Sequence, residues 1–255
     1  MISIYTSAFN LIKNKFDYKF HIQKFSQFAN EVVIAINNSE DDTLEKLILY
    51  SKQFNNVKII PVDISYNDPL LDGKIKNIAL QSTTEEIKIN LDMDEYIPLW
   101  QKPIWYNLAT QLKYNNYNCF MIPSINLFKD KDSYFSITSK WYLHKSGLFR
   151  GPVNFAQKSD GTIDTSKSDS CELIDKKGNL VSSQLTPSDI KELRKNIYPF
   201  VVHNGYLNLQ DRLLRNKNFW KKHWKMESGG TDPKHKVHES LEDFNENYYQ
   251  HNLNI

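Results

Sequence analysis

Cysteine is almost missing from this chain: Cys119 and Cys171 are the two among 255 residues. Two thiols give neither a disulfide framework nor the four-ligand spacing of a structural zinc site, and they suit a reducing compartment. Glycine is scarce too, 8 in all, and none falls in SAFNLIKN (7–14) behind the first apolar segment. A glycine-rich phosphate loop is therefore absent from that turn. No apolar run nears the ~18 residues that span a bilayer, and MISIYTSAFN lacks the basic start and long apolar centre of a secretory signal. Charge of one sign is also lacking: a formal net charge of +2 argues against a nucleic-acid partner. The expectation is a soluble cytoplasmic protein, long enough for one generous domain with its own core.

What is present is an alternation of two periodicities. Strands are expected at 2–6, 31–36, 57–62 and 86–91, where apolar and β-branched residues crowd short segments. Between them the four-residue spacing of Ile12, Phe16 and Phe20, and the run Leu44, Leu47, Ile48 and Tyr50, predict helices over about 13–29 and 41–53, with a shorter one over 73–82. Strand and helix in turn mean an α/β fold with a mostly parallel central sheet flanked by helices. After residue 100 the pattern loosens: strands at 117–123, 134–143 and 198–203, a loop-rich stretch over 156–190 with a turn at KKGN (176–179), and a basic amphipathic helix near the C-terminal end. One domain is expected, its halves being 1–100 and a β-containing, C-terminally helical 101–255.

The polar residues gather at one edge. Strand one runs into SAFN, strand two into NNSEDDT (37–43) and strand four into DMDE (92–95), all at the carboxyl ends where open α/β sheets bind ligands. Ser39 or Asp41 has a simpler use as a helix cap, and Asn10 as a turn residue. In IKINLDMDEYI (87–97) three carboxylates follow an apolar strand, which costs stability because like charges raise one another's pKa. Alternate residues of an extended segment share a side, so Asp92 and Asp94 are expected to address one ligand while Met93 turns inward. Hard oxygen donors of this kind suit Mg²⁺ or Mn²⁺, which take one or two carboxylates plus substrate phosphates.

These pieces, ISIYTSAFN, VVIAINNSEDDT, GKIKNIAL and INLDMDEYI, resemble in order and spacing the first hundred residues of family 2 glycosyltransferases of the GT-A type. The resemblance implies a Rossmann-like GT-A sheet, a smaller acceptor-side β region, and a nucleotide-diphosphate sugar as donor, a UDP-sugar first. It puts Ser7, Ala8 and Phe9 beside the base, Lys76 and Asn77 on the diphosphate or ribose side, Asp92 at ribose and metal, and Asp94 at the metal. Where the family often carries an acid after strand two, this chain has Asn37 and Asn38, amides that can still meet a base edge. FVVHNGY (200–206) resembles the later strand whose His completes the metal site, so His203 is expected as third ligand, against a packed core histidine.

The activity implied is metal-dependent, inverting glycosyl transfer to a glycan, lipid-linked or protein acceptor. Such a reaction needs a carboxylate base, and on the acceptor side Glu172 and Asp169 are the candidates, with Asp160 and Asp164 nearby. Arg150 and the segment RLLRNKNFWKKHWK (212–225) offer positive charge to a leaving diphosphate. That segment also suits peripheral contact with a membrane, or a solvated helix with its aromatics turned inward. Trp105 and Trp141 suit sugar stacking or, more simply, the core. His235 and His238 share helical spacing in polar surroundings that suit a surface pair. The rival activities are a sugar nucleotidyltransferase and a non-catalytic binding module.

Overall fold

In the first strand Ile2 and Ile4 face one side and Tyr5 the other, and both sides are buried. A strand covered on both faces belongs to the middle of a layered sheet. The structure, a computed structural model, describes residues 1–65, 71–114, 119–145, 199–215, 217 and 251–252. Strands β1 (Ile2–Ala8), β2 (Glu31–Asn37), β3 (Val57–Val62) and β4 (Ile87–Asn90) pair in parallel in the order β3-β2-β1-β4. The connections are α1 (Tyr18–Phe28), α2 (Thr43–Ser51) and α3 (Leu71–Gln81). This is the α/β class, with the mostly parallel sheet and flanking helices, that the alternation implies.

The two faces are filled by different helices. Ile22, Phe25 and Phe28 of α1 and Leu47 of α2 meet Ile2, Ile4, Val32, Ile34, Ile36, Ile87 and Ile89 on one face. Leu71, Ile75 and Ala79 of α3 meet Tyr5, Val33 and Ala35 on the other. Each fully buried side chain of this size contributes about 1.5–3 kcal/mol of transfer free energy, so the register of β1 and β2 is firmly set: a slip by one residue would exchange the two faces.

Beyond β4 the sheet continues with mixed polarity. Next come β5 (Glu95–Tyr96), a 3₁₀ turn at Leu99–Gln101, α4 (Lys102–Tyr114), β6 (Cys119–Phe128), β7 (Asp130–Lys145), β8 (Val201–Tyr206), α5 (Leu209–Arg215) and β9 (His251–Asn252). β7 runs antiparallel beside β4, β6 antiparallel beside β7, β8 parallel beside β6, and β5 antiparallel at the end, while β9 pairs with β7. Helix α4 was not foreseen. Its Trp105, Ala109 and Leu112 join the same core as α1, and Trp105 is fully buried there. The short strand β5 positions the site: it pairs Glu95 with His203 and so carries the acidic turn up against β8.

Candidate active site

The loops at the carboxyl ends of β1, β2 and β3 are tied together by short polar side chains. Asn10 stands at φ 47, a left-handed conformation that Asn tolerates better than most residues. Its N–H donates to Ser39 Oγ at 3.1 Å, and Glu40 N donates back to Asn10 Oδ1 at 2.7 Å. Asp41 accepts from Lys13 N at 2.7 Å and from Thr43 N at 3.0 Å, so Asp41 rather than Ser39 serves the start of α2. Asn37 is buried, and its amide exchanges two bonds with the backbone of Ile64, at 2.9 and 2.8 Å. Asn38 Nδ2 donates to Asp63 Oδ1 at 2.6 Å. Ser7 and Ala8 thus end β1, with Phe9 just past it, beside a braced loop pair, with Ala8 packed inside; Asn37 fastens β2 to the β3 exit with both of its amide atoms.

Strand β4 stops at Asn90, and Asp92–Glu95 form a turn around residues 93 and 94 rather than an extended segment. Glu95 N donates to Asp92 O at 2.9 Å, and Asp92 N donates to the buried Glu95 carboxylate, also at 2.9 Å. The turn sends the two aspartates to different partners. Asp92 Oδ1 lies 2.8 Å from Nζ of Lys76, a buried lysine of α3, with Asn77 following it on the same helix. Asp94 Oδ2 lies 3.3 Å from His203 Nε2 on β8. Met93 between them is buried, although in a turn and not by the alternation of a strand. Each of the three crowded carboxylates therefore has its own answering group within the protein: a lysine, a histidine, or the turn's own backbone.

His203 is held from behind. Its Nδ1 donates to Asn126 Oδ1 on β6 at 2.6 Å, which places the ring proton on Nδ1 and leaves the Nε2 lone pair toward Asp94. Two acceptors facing each other repel, and either a second proton or a cation between them makes the contact favourable. Burial alone would raise the Asp94 carboxyl pKa, but the positive charge that this second proton puts on His203 and its hydrogen bond to Asp94, and then the Arg215 and Arg212 guanidiniums, hold it well below the usual carboxylate range. An ionised carboxylate beside an oriented imidazole fits a divalent cation as two protein donors, the remaining positions being left to ligand oxygens. Among the described residues no group of three His, Cys, Asp or Glu gathers closely enough to hold a metal alone; Asp92 is engaged by Lys76 instead of closing a triad with Asp94 and His203.

The sequence does not single out Asn126 or Gly205, and it gives Arg212 and Arg215 only as members of the basic segment 212–225. Asn126 lies on a distant strand and carries no local signal. Gly205 follows His203 by two residues on the same face of β8, and a Cβ there would sit 2.5 Å from His203 Nε2 and 3.2 Å from Asp94 Oδ2. A glycine inside a strand is the available signal, since it often marks a close approach. Arg215, in the first turn of the basic segment, is buried and donates through Nη2 to Gly205 O at 2.6 Å. Arg212 stacks on the Tyr206 ring at 4.5 Å and donates to its hydroxyl at 3.1 Å. Glu172, Asp169, Asp160, Asp164, Arg150, His235, His238 and residues 218–225 lie outside the described residues, as do the KKGN turn and the side chain of Trp141.

His21 on α1 is a buried histidine in the same field. Its Nδ1 donates to Asp17 O at 2.8 Å and its Nε2 has no hydrogen-bond partner. Burial lowers its pKa, against smaller opposing effects from the Asp17 carbonyl and from Asp94. The unfolded chain then binds more protons than the folded one below the ordinary histidine pKa of about 6.5, so His21 lowers stability as pH falls beneath that value. Urea titrations of the parent and His21→Phe between pH 7.5 and 5.5 are expected to show the parent losing more, by at most about 1.4 kcal/mol per pH unit.

No protein-family model and no curated protein matches the chain. Among solved structures, S. aureus TarS 1-349 in complex with UDP matches at 14% identity and TM-score 0.41, over 88% of this chain and 72% of that one. A second structure of S. aureus TarS 1-349 matches at 16% identity and TM-score 0.42, over 62% of this chain, which spans about half (51%) of that chain. Glucosyl-3-phosphoglycerate synthase from Mycobacterium tuberculosis, crystallised with Mn²⁺, UDP and phosphoglyceric acid, matches at 16% identity and TM-score 0.33, over 51% of this chain and 44% of that one. At such values these overlaps assign no activity to this chain.

Proposed function

We propose that this chain is a metal-dependent glycosyltransferase of the GT-A type, resembling family 2, which takes a sugar from a nucleoside-diphosphate donor. The observation that carries the reading is the Asp94–His203 pair, 3.3 Å apart and oriented by Asn126, beside the Lys76–Asp92 pair at the carboxyl edge of the parallel strands. Asp94 and His203 would hold Mn²⁺ or Mg²⁺, which when bound supplies Lewis-acid neutralisation to a departing diphosphate. Lys76 presents fixed positive charge next to that position without reorganising, as transition-state electrostatics requires. Asp92, kept in place by Lys76, is available to a ribose hydroxyl. The braced loops after β1 and β2 give the base a rigid wall at Ser7 to Phe9. The acceptor-side base falls to Glu172 or Asp169, the acceptor being a glycan, lipid-linked molecule or protein.

The test is calorimetry of the parent chain with UDP-, GDP- and dTDP-sugars, with and without Mn²⁺. One nucleotide class, UDP first, is expected to bind in a Mn²⁺-dependent manner and to release its diphosphate when an acceptor is supplied. Absence of binding by all three classes in the presence of Mn²⁺ sinks the reading.

A further inference from the structure

Arg215 stands where a cation is costly. It is 7% exposed, its guanidinium lies over the Phe16 ring at 4.7 Å, and one nitrogen donates to Gly205 O. Its Nε has no hydrogen-bond partner, and no carboxylate among the described residues forms a salt bridge with it. A buried guanidinium without a contacting counterion is ordinarily destabilising. It nevertheless grips the backbone of Gly205, the residue whose Cα side lies against Asp94 and His203. Arg212 stands beside it on α5, stacked on Tyr206.

The charges around the pair are thus already compensated within the protein. Lys76 answers Asp92 by contact, and Arg215 and Arg212 answer Asp94 through space. A bare divalent cation entering between Asp94 and His203 meets two protein donors and two fixed guanidinium charges that repel it. A cation arriving with a diphosphate carries net negative charge, and the same guanidiniums attract it.

We propose that Arg215, seconded by Arg212, makes the Asp94–His203 pair take up a divalent cation together with a diphosphate in preference to the cation alone. The proposal rests on the nucleotide-sugar reading above and deepens it: Arg215 is a positioning residue that sets which species the site accepts. By linkage, the diphosphate raises cation affinity by the same factor as the cation raises diphosphate affinity.

The experiment measures free Mn²⁺ by electron paramagnetic resonance during titration, with and without UDP, on the parent, Arg215→Met, Arg215→Lys and Arg212→Gln. The parent is expected to bind Mn²⁺ at least about fivefold more tightly with UDP present. Arg215→Met is expected to bind bare Mn²⁺ more tightly than the parent, and UDP at saturating Mn²⁺ more weakly, each by roughly fivefold; Arg215→Lys follows the parent. Opposite signs separate a charge effect from a structural one, because loosening β8 weakens both. Should Arg215→Met fail to fold by circular dichroism, Arg212→Gln decides on the same two signs with smaller amplitude. If the parent gains from UDP but removing the guanidinium leaves bare-Mn²⁺ affinity unchanged or lower, this proposal alone falls. If the parent gains nothing from UDP, the nucleotide-sugar reading falls with it.

Discussion

Asp94→Asn is expected to abolish Mn²⁺-dependent nucleotide binding and to cut donor turnover about 10²-fold, while the protein still folds. Asparagine keeps the size of the side chain, so the turn at 92–95 and the pairing of Glu95 with His203 have no steric reason to change. What disappears is the ionised oxygen at 3.3 Å from His203 Nε2. If charge neutralisation at the leaving group contributes about 3 kcal/mol, its loss is worth roughly 10² in rate. The stability cost is about 2 kcal/mol, the scale of a charged hydrogen bond, or about 4 to 8 °C in melting temperature. The pH dependence checks the cause. Because the folded Asp94 carboxyl lies well below the usual range, its contribution is complete above the ordinary aspartate pKa of about 4 and fades as pH falls below it. The stability gap between parent and variant should therefore close in acid. A gap that is constant down to pH 2 would mean that the Asp94 charge does not stabilise the fold.

The first half of the fold is legible because its strands are short, rich in apolar and β-branched residues and separated by single helices, so periodicity and connection length agree. Helix α4 was not read because Lys102 and Pro103 open it and aromatic residues dilute the pattern, although Trp105, Ala109 and Leu112 do keep helical spacing. Pro103 in the first turn was the usable signal, since proline is tolerated there and not further in. The acidic segment shows a different limit. Asp92 and Asp94 were expected on one side of an extended strand, but Glu95 closes a turn by bonding Asp92 N, and this rotates the aspartates toward Lys76 and His203 respectively. Local period assumes an unbroken strand, and the break depends on a carboxylate that the same reasoning counts as a surplus charge.

Residues that complete the site from a distance were invisible for a related reason. Asn126 is 77 positions from the histidine it orients, and nothing near it in the chain distinguishes it from other polar residues of a strand. Composition alone leaves the segment 212–225 open between charge for a diphosphate, a membrane contact and a solvated helix, and does not say which of its arginines are buried. The described start of that segment turns inward: Arg215 is buried and Arg212 lies on Tyr206, so a basic run can serve the interior when its helix packs back on the strand before it.

Gly205→Ala should displace His203 and cost the site about tenfold or more in Mn²⁺–nucleotide affinity, although alanine is ordinarily the better residue in a strand. Glycine inside a strand costs roughly 0.5–1 kcal/mol relative to alanine, so without a clash the substitution would stabilise. Here the new Cβ would come within 2.5 Å of His203 Nε2 and 2.7 Å of its Cε1. The imidazole has little freedom to yield, with Nδ1 held by Asn126 and its ring packed edge-on against Tyr206 at 5.8 Å. The side that can open is the one facing Asp94, and opening it separates the two donors. The expected net destabilisation is about 1–2 kcal/mol, from overpacking of about 1–3 kcal/mol less the strand preference. The double variant Gly205→Ala, His203→Ala discriminates. With the imidazole gone the extra methyl meets no ring, so adding Gly205→Ala to His203→Ala should raise stability by a few tenths of a kcal/mol. A reversal of sign between the two backgrounds, read by denaturant titration, locates the clash at His203; the same cost in both would show that Gly205 is required for some other reason.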